Sequence, residues 1–238
     1  MELSLINPPR SHHAKKQYYP FVHLDCHLGA GWSTVFVSSK SRLVVKFATM
    51  PKKNKTELIR QLSNEKRAYN KLNQISGWII PRLYGEYEWH GGRALVLSEE
   101  GQSLSYLGSS HHYQLSRGMP AIFEEDCADF WYNRLILFAE VYCVHYLGVE
   151  HRDLEPRNVL RRNWSCIFKI IDFGFSDVDH ICPGWKECRE LKEMWSKLQL
   201  DRVNFQLLKL KLRLVARLDH LLLFMLLFTW LAFVIMIT

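Results

Sequence analysis

The chain has 238 residues, of which 48% are hydrophobic and 13% aromatic, and a net charge of +7. That length supports a sizeable core in one two-lobed domain or two small domains, and the composition excludes general disorder. The positive balance fits an acidic partner or an anionic membrane surface, but no interleaving of basic and aromatic residues points to nucleic acid, which is not expected as a partner.

Residues 1–17 are polar and contain prolines, and read as a loose arm without an apolar run of signal-peptide length. Residues 18–48 read as strands around a glycine turn, with "LGAGWSTVFV" followed by "RLVVKFA". Gly29, Ala30 and Gly31 can let backbone amides approach a phosphate; an ordinary hairpin is the alternative. Strand alternation sets Val44, Lys46 and Ala48 on one face and Leu43, Val45 and Phe47 on the other. A lysine in so apolar a strand must reach water along its stem or find an anion. Asn54 with Glu57 resembles a capping box and opens a helix in which Leu58, Leu62, Glu65, Tyr69 and Leu72 share one face. Glu65 therefore points inward with the apolar residues. An inward carboxylate and an inward lysine explain one another as a pair, and that pair can be purely structural.

Residues 82–98 read as a hairpin turning at Gly91-Gly92, and "SEEG" at 98–101 as a connector between lobes. The stretch 103–120 is irregular, and 121–147 is a long apolar helix. The decapeptide 151–160, "HRDLEPRNVL", sets Asp153 and Asn158 five residues apart before a short apolar run. Short strands follow around 159–160 and 167–171. Then comes "IIDFGFSD", with Asp172 at a strand end and Gly174 permitting a bend. A helix of roughly 185–200 carries an apolar stripe of Leu191, Met194, Trp195 and Leu198. The six cysteines, at 26, 127, 143, 166, 182 and 188, form no CxxC pair and no metal-type His/Cys spacing. They read as reduced thiols of a cytosol-facing domain.

Each motif alone is weak. Their order (Gly29/Gly31, Lys46, Glu65, "HRDLEPRN", "DFG") resembles the protein-kinase family over roughly residues 20–176. The compact form is also similar to abbreviated kinase-like proteins of fungi. The resemblance implies an α+β bilobal fold: a β-rich N-lobe with one helix at 18–98, and a shortened, mainly helical C-lobe at 99–200. It implies Mg2+ and ATP as cofactors and transfer of the γ-phosphate to a hydroxyl on a protein substrate. Lys46, positioned by Glu65, would hold the α- and β-phosphates, with Gly29, Ala30 and Gly31 over them. Glu99 and Glu100 lie in the connector whose backbone would meet the adenine. Asp153 would be the catalytic base, and Asn158 and Asp172 the magnesium ligands. His151 and Phe173 would pack as internal supports.

The sequence also departs from the family. Glu155 stands where serine/threonine kinases carry a lysine, although Arg157 offers positive charge nearby. There is no "APE" element, and only residues 175–220 separate the "DFG" from an apolar tail. A nucleotide-binding or scaffolding pseudokinase, and a small-molecule kinase of the same fold, are the alternative readings. In the tail, Leu207, Leu210, Leu214, Leu218 and Leu221 form a stripe, with Lys209, Arg213 and Arg217 on another face. The uncharged run 221–238 would extend about 27 Å as a helix, near the hydrocarbon thickness of a bilayer. Segment 201–238 thus reads as a basic amphipathic stretch and a transmembrane tail anchor on a cytosol-facing domain. A helix packed on a soluble cytoplasmic protein and a chain end foreign to the domain are the alternatives.

Overall fold

Alternating apolar residues in the first hundred positions build an antiparallel sheet, and helical periodicity over 55–72 supplies the helix that covers it. The computed structural model describes residues 4–5, 26–30, 34–38, 41–48, 55–89, 92–105, 129–161 and 167–200. Among these, β1 (Ser4–Leu5), β2 (Cys26–Ala30), β3 (Thr34–Ser38), β4 (Leu43–Phe47), β5 (Leu83–Trp89) and β6 (Gly92–Ser98) form a sheet of order β1-β5-β6-β4-β3-β2. Every neighbouring pair in it is antiparallel. Ser4–Leu5, within the segment read as an arm, pairs with Tyr87 and Glu88 at the sheet edge. Gly92 is the first residue of the return strand and pairs with Trp89.

The two faces of β4 divide as alternation requires. Val45 and Phe47 pack with Tyr87, Ala94 and Val96, joined by Leu43. Ala48 lies on the other side, against Leu58 and Leu62 of helix α1 (Lys55–Lys71) and Leu95 of β6. All five residues of the predicted inward face of α1 and its end are buried: Leu58, Leu62, Glu65, Tyr69 and Leu72.

The second half is smaller. β7 (Gln102–Ser103), β8 (Val159–Arg161) and β9 (Phe168–Ile170) form a three-stranded antiparallel sheet. Helix α2 (Asp129–Tyr146) buries Leu135, Leu137, Phe138, Val141 and Val144, and helix α3 (Arg189–Lys197) buries Leu191 and Met194. The predicted stripe of α3 holds: Trp195 stacks on Trp185 with centroids 4.6 Å apart and meets Phe138 edge-on at 5.1 Å. One core runs from Ala68 and Tyr69 of α1 and the adjoining Leu72 through α2 and β9 to Leu198 and Leu200. Each such fully buried side chain contributes about 1.5–3 kcal/mol.

The result is a mixed α+β chain, sheet-rich in its first half and with few helices, compatible with a kinase-like fold. The expected helical residues 121–128 and the tail 201–238 lie outside the described residues. Among the described residues no helix is long and apolar enough to cross a membrane.

Candidate active site

Lys46 projects from β4 toward α1, where it meets two carboxylates. Its Nζ stands 2.7 Å from Glu65 Oε2 and 2.5 Å from Asp172 Oδ1. The Lys46 and Glu65 side chains are 11% and 1% exposed, whereas Asp172 is 40% exposed and opens the cluster to solvent. Burial alone would lower the Lys46 pKa, but Glu65 and Asp172 outweigh it and hold it above the usual lysine range. Burial likewise pushes Glu65 up, against the pull of Lys46. Asp172 goes the other way: burial opposes its charge, yet Lys46 keeps it below the usual carboxylate range. One ammonium against two carboxylates leaves a net negative corner with an accessible carboxylate, which is suited to a cation.

The "HRDLEPRN" stretch forms a loop that closes in a 3-10 turn at Pro156–Asn158. Asn158, buried, donates from Nδ2 to the Asp153 carbonyl at 2.7 Å and to Asp153 Oδ2 at 3.0 Å. The five-residue spacing therefore returns the asparagine onto the aspartate. Arg157 donates to both Asp153 oxygens, at 2.7 and 2.9 Å. Glu155 points away from Asp153 to Lys197 of α3, 3.5 Å off in a half-exposed pair of small energetic weight. The Arg152 amide donates to Glu190, and its side chain pairs with Glu150 and Asp177. These contacts hold Arg152 at a φ of 64°.

Two backbone bonds join this loop to Asp172. Ile171 N–H donates to the Asn158 carbonyl at 2.9 Å, and His151 Nε2 lies 2.8 Å from the Ile171 carbonyl. His151 Nδ1 accepts from the Asp153 amide at 3.2 Å, so the ring carries its proton on Nε2. Burial pushes its pKa down and favours this neutral form. Phe173 is fully buried between the His151 ring (4.9 Å) and the Tyr69 ring (5.4 Å). The expected internal packing of His151 and Phe173 is thus what the structure contains, with Tyr69 of α1 as the third member. Asn64 of α1 donates to the carbonyls of Phe173, Gly174 and Ser176.

One local expectation needs correcting. The sharp bend belongs to Asp172, whose φ and ψ of 67° and 62° are left-handed, and not to Gly174. A Cβ on Gly174 would meet its neighbours only at 3.5 Å and beyond, an ordinary contact. The Lys46 pair and the Gly174 amide hold Asp172 in this conformation.

Of the remaining predicted residues, Gly29 and Ala30 end β2 beside a bulge between His27 and Gly29, and Ala30 pairs with Thr34. Gly31 lies outside the described residues. In the connector, the Glu99 amide donates to the Arg42 carbonyl, Glu99 Oε1 accepts from the Gly101 amide, and buried Glu100 accepts from Ser98 Oγ at 2.6 Å. Lys46, Glu65 and Asp172 thus form one cluster and Asp153 and Asn158 an adjoining one, while Gly29 and Ala30 stand on β2 and the connector follows β6.

No protein-family model matches the chain. It is 32% identical over 106 residues to serine/threonine-protein kinase AGC1-7 of Arabidopsis thaliana, covering 44% of this chain and 17% of that protein. It is 31% identical over 106 residues to serine/threonine-protein kinase RHS3 of the same plant, covering 44% of this chain and 19% of that protein. The chain thus spans under a fifth of the length of these curated relatives. At this identity and coverage the likenesses support a resemblance to the protein-kinase-like family and nothing finer.

Sequence reasoning missed Glu190 and the groups around it. Glu190, in the first turn of α3, accepts from the His151 and Arg152 amides at 2.9 and 2.7 Å and faces His145 Nε2 at 2.8 Å. His145 in turn lies against His180 and Cys188. The only sequence signal was the crowding of His180, Cys182 and Cys188 into nine residues, and His145 is 35 positions before His180.

Proposed function

We propose that the chain is an ATP-dependent phosphotransferase of the protein-kinase-like fold that transfers the γ-phosphate to a hydroxyl, on a protein. The observation that carries this reading is the convergence of Lys46, Glu65 and Asp172 beside a loop in which Asn158 holds Asp153. Phosphoryl transfer needs little covalent help; it needs phosphates, metal and acceptor held in line with their charge balanced. Residues 18–98 form the N-lobe and 99–200 the shortened C-lobe. Gly29, Ala30 and Gly31 would lie over the phosphates, and the connector at Glu99 and Glu100 would meet the adenine.

The donor set fits magnesium. Asn158 and Asp172 offer hard oxygen donors, and the Ile171 N–H bond to the Asn158 carbonyl keeps them side by side. When bound, Mg2+ would neutralise phosphate oxygens as charge shifts in the transition state. Lys46 binds the α- and β-phosphates while Glu65 fixes its ammonium. Asp153 accepts the proton of the acceptor hydroxyl, and Arg157, reaching the same carboxylate, brings positive charge to the γ-phosphate. The acceptor enters along the groove lined by Asp153, Leu154, Glu155, Glu193, Met194 and Lys197. The compact C-lobe is of the kind seen in the abbreviated kinase-like proteins of fungi. The uncharged run 221–238 is long enough, on sequence grounds, to cross a bilayer as a helix.

Asp153→Ala tests the role of the base. Arg157 is 60% exposed and can turn to water, and Asn158 keeps its bond to the backbone carbonyl, so the fold and the phosphate cluster survive. The expected result is loss of phosphate transfer by at least about 100-fold with ATP affinity within a few-fold of wild type. Loss of ATP binding together with transfer would contradict the role.

A second reading is favoured by one observation. Arg157 occupies both oxygens of Asp153, in competition with an acceptor hydroxyl, which suits a pseudokinase that binds nucleotide and acts as a scaffold. ATP binding unaccompanied by transfer to any hydroxyl acceptor, in wild type and in Arg157→Ala alike, would select it.

A further inference from the structure

The loop between Asp177 and α3 has little regular structure, yet four metal-ligating side chains meet at its base. His145 comes from the last turn of α2, His180 and Cys182 from the loop, and Cys188 from the position just before α3. One ligand atom from each of the four lies within 4.8 Å of the other three. His145 Nδ1 is 3.2 Å from His180 Nε2 and 3.5 Å from Cys188 Sγ, and Cys188 Sγ is 3.9 Å from His180 Nε2. Tetrahedral zinc, with bonds of about 2.0–2.3 Å, sets its ligands about 3.3 Å apart for two nitrogens and about 3.6 Å apart for nitrogen and sulfur. The three separations among His145, His180 and Cys188 match that tetrahedron within a few tenths of an ångström, and Cys182 offers the fourth ligand within 4.8 Å of them.

We propose that His145, His180, Cys182 and Cys188 form a structural zinc site. Three further features fit a metal better than a cluster of hydrogen bonds. His145 donates its Nε2 proton to Glu190 at 2.8 Å, which leaves the Nδ1 lone pair aimed at the other ligands. A carboxylate behind a ligating histidine is the usual support of such a site. The Gly184 amide donates to the Cys182 sulfur across the turn Cys182-Pro183-Gly184, which fixes the position of that sulfur. Cys188 occupies the N-cap of α3 but its side chain caps nothing, and it turns instead into the cluster. Two thiolates balance the charge of Zn2+, and the two thiol protons leave to solvent on binding. Sulfur and imidazole donors in a four-coordinate arrangement select zinc over magnesium or calcium.

The site ties the end of α2, the loop and the start of α3 into one unit. Glu190 carries the tie further, because the carboxylate that orients His145 also receives the His151 and Arg152 amides. On the phosphotransferase reading, zinc thereby braces the loop that bears Asp153. The metal assignment itself does not depend on that reading.

The test uses the full chain, purified without a histidine tag under reducing conditions, with metal content measured by plasma mass spectrometry. The expected result is about one zinc per chain, lost in Cys182→Ser and in His180→Ala, two half-buried loop positions. Chelation should lower the melting temperature of the wild type, and added zinc should restore it. Cobalt(II) in place of zinc should give the intense visible bands of a tetrahedral site with thiolate charge transfer, weakened in Cys182→Ser. Should the variants not fold, cobalt titration of the metal-stripped wild type decides. Zinc no higher in the wild type than in the variants, or no thiolate band with cobalt, overturns the proposal. So does a Cys182–Cys188 disulfide, seen as an intact mass two hydrogens light and located by peptide mapping. None of these readouts involves phosphate transfer.

Discussion

A lysine and a glutamate buried together are stabilising only as a pair. Lys46 and Glu65 are each out of water, and breaking such a pair by removing one partner costs about 3–5 kcal/mol, whereas replacing both with apolar groups is near neutral. Lys46→Met alone should therefore lower the stability measured by urea unfolding, with the loss moderated because Glu65, already pushed up by burial, can take a proton. Lys46→Met with Glu65→Leu should recover most of it while leaving nucleotide binding absent. A single variant as stable as the double would mean that the pair is not energetically coupled. The pair was legible in the sequence because both residues break a pattern: a cation in an apolar strand and an acid on an apolar helix face. The left-handed turn at Asp172 was not legible. "DFG" offers a glycine as the obvious bend, and only the contacts of Asp172 with Lys46 and the Gly174 amide, from distant and local chain, hold the strain on the aspartate.

Helix α1 (Lys55–Lys71) is the element that joins the two halves, because Glu65 faces Lys46 while Asn64, one position away, faces the turn after Asp172. Asn64 supplies a donor to three carbonyls of that turn; removing it takes that donor from the Gly174 and Ser176 carbonyls, while the Phe173 carbonyl keeps the amide and hydroxyl of Ser176. Asn64→Ala should cost about 1–3 kcal/mol in urea unfolding. Gly174→Ala, in the same turn, should change stability by less than about 1 kcal/mol, because a Cβ there makes ordinary contacts. The reverse ranking would show that the turn depends on the glycine and not on the helix. The apolar face of α1 and the stripe of α3 were readable from their 3.6-residue period, and the short strands at Val159–Arg161 and Phe168–Ile170 from their apolar runs. Asn64 and Glu190 carry no such signal. A polar residue at a helix surface looks solvated in sequence, and its partners are 109 and 38 or more positions away.

For the whole molecule, the six-stranded sheet and the smaller helical part share the core that runs through Tyr69 and Phe173, so the Lys46 cluster and the Asp153 loop are held in one frame. The order of the motifs along the chain is what made this frame readable. The histidine–cysteine cluster escaped because its ligands come from three segments, so their approach depends on how α2 and α3 pack and not on local spacing. The small size of the described second part makes such a brace physically sensible, since small cores gain most from a metal. The proposed phosphotransferase requires Mg-ATP to bind at the Lys46 cluster. The measurement that tests it most directly is the melting temperature of the full chain with and without Mg-ATP, for wild type and Asp172→Ala. At nucleotide near 100 times Kd, the account predicts stabilisation of about 2.7 kcal/mol, a rise of roughly 5–10 °C that requires magnesium and disappears in the variant. A folded wild-type chain whose melting temperature does not move, or moves equally in Asp172→Ala, would contradict it.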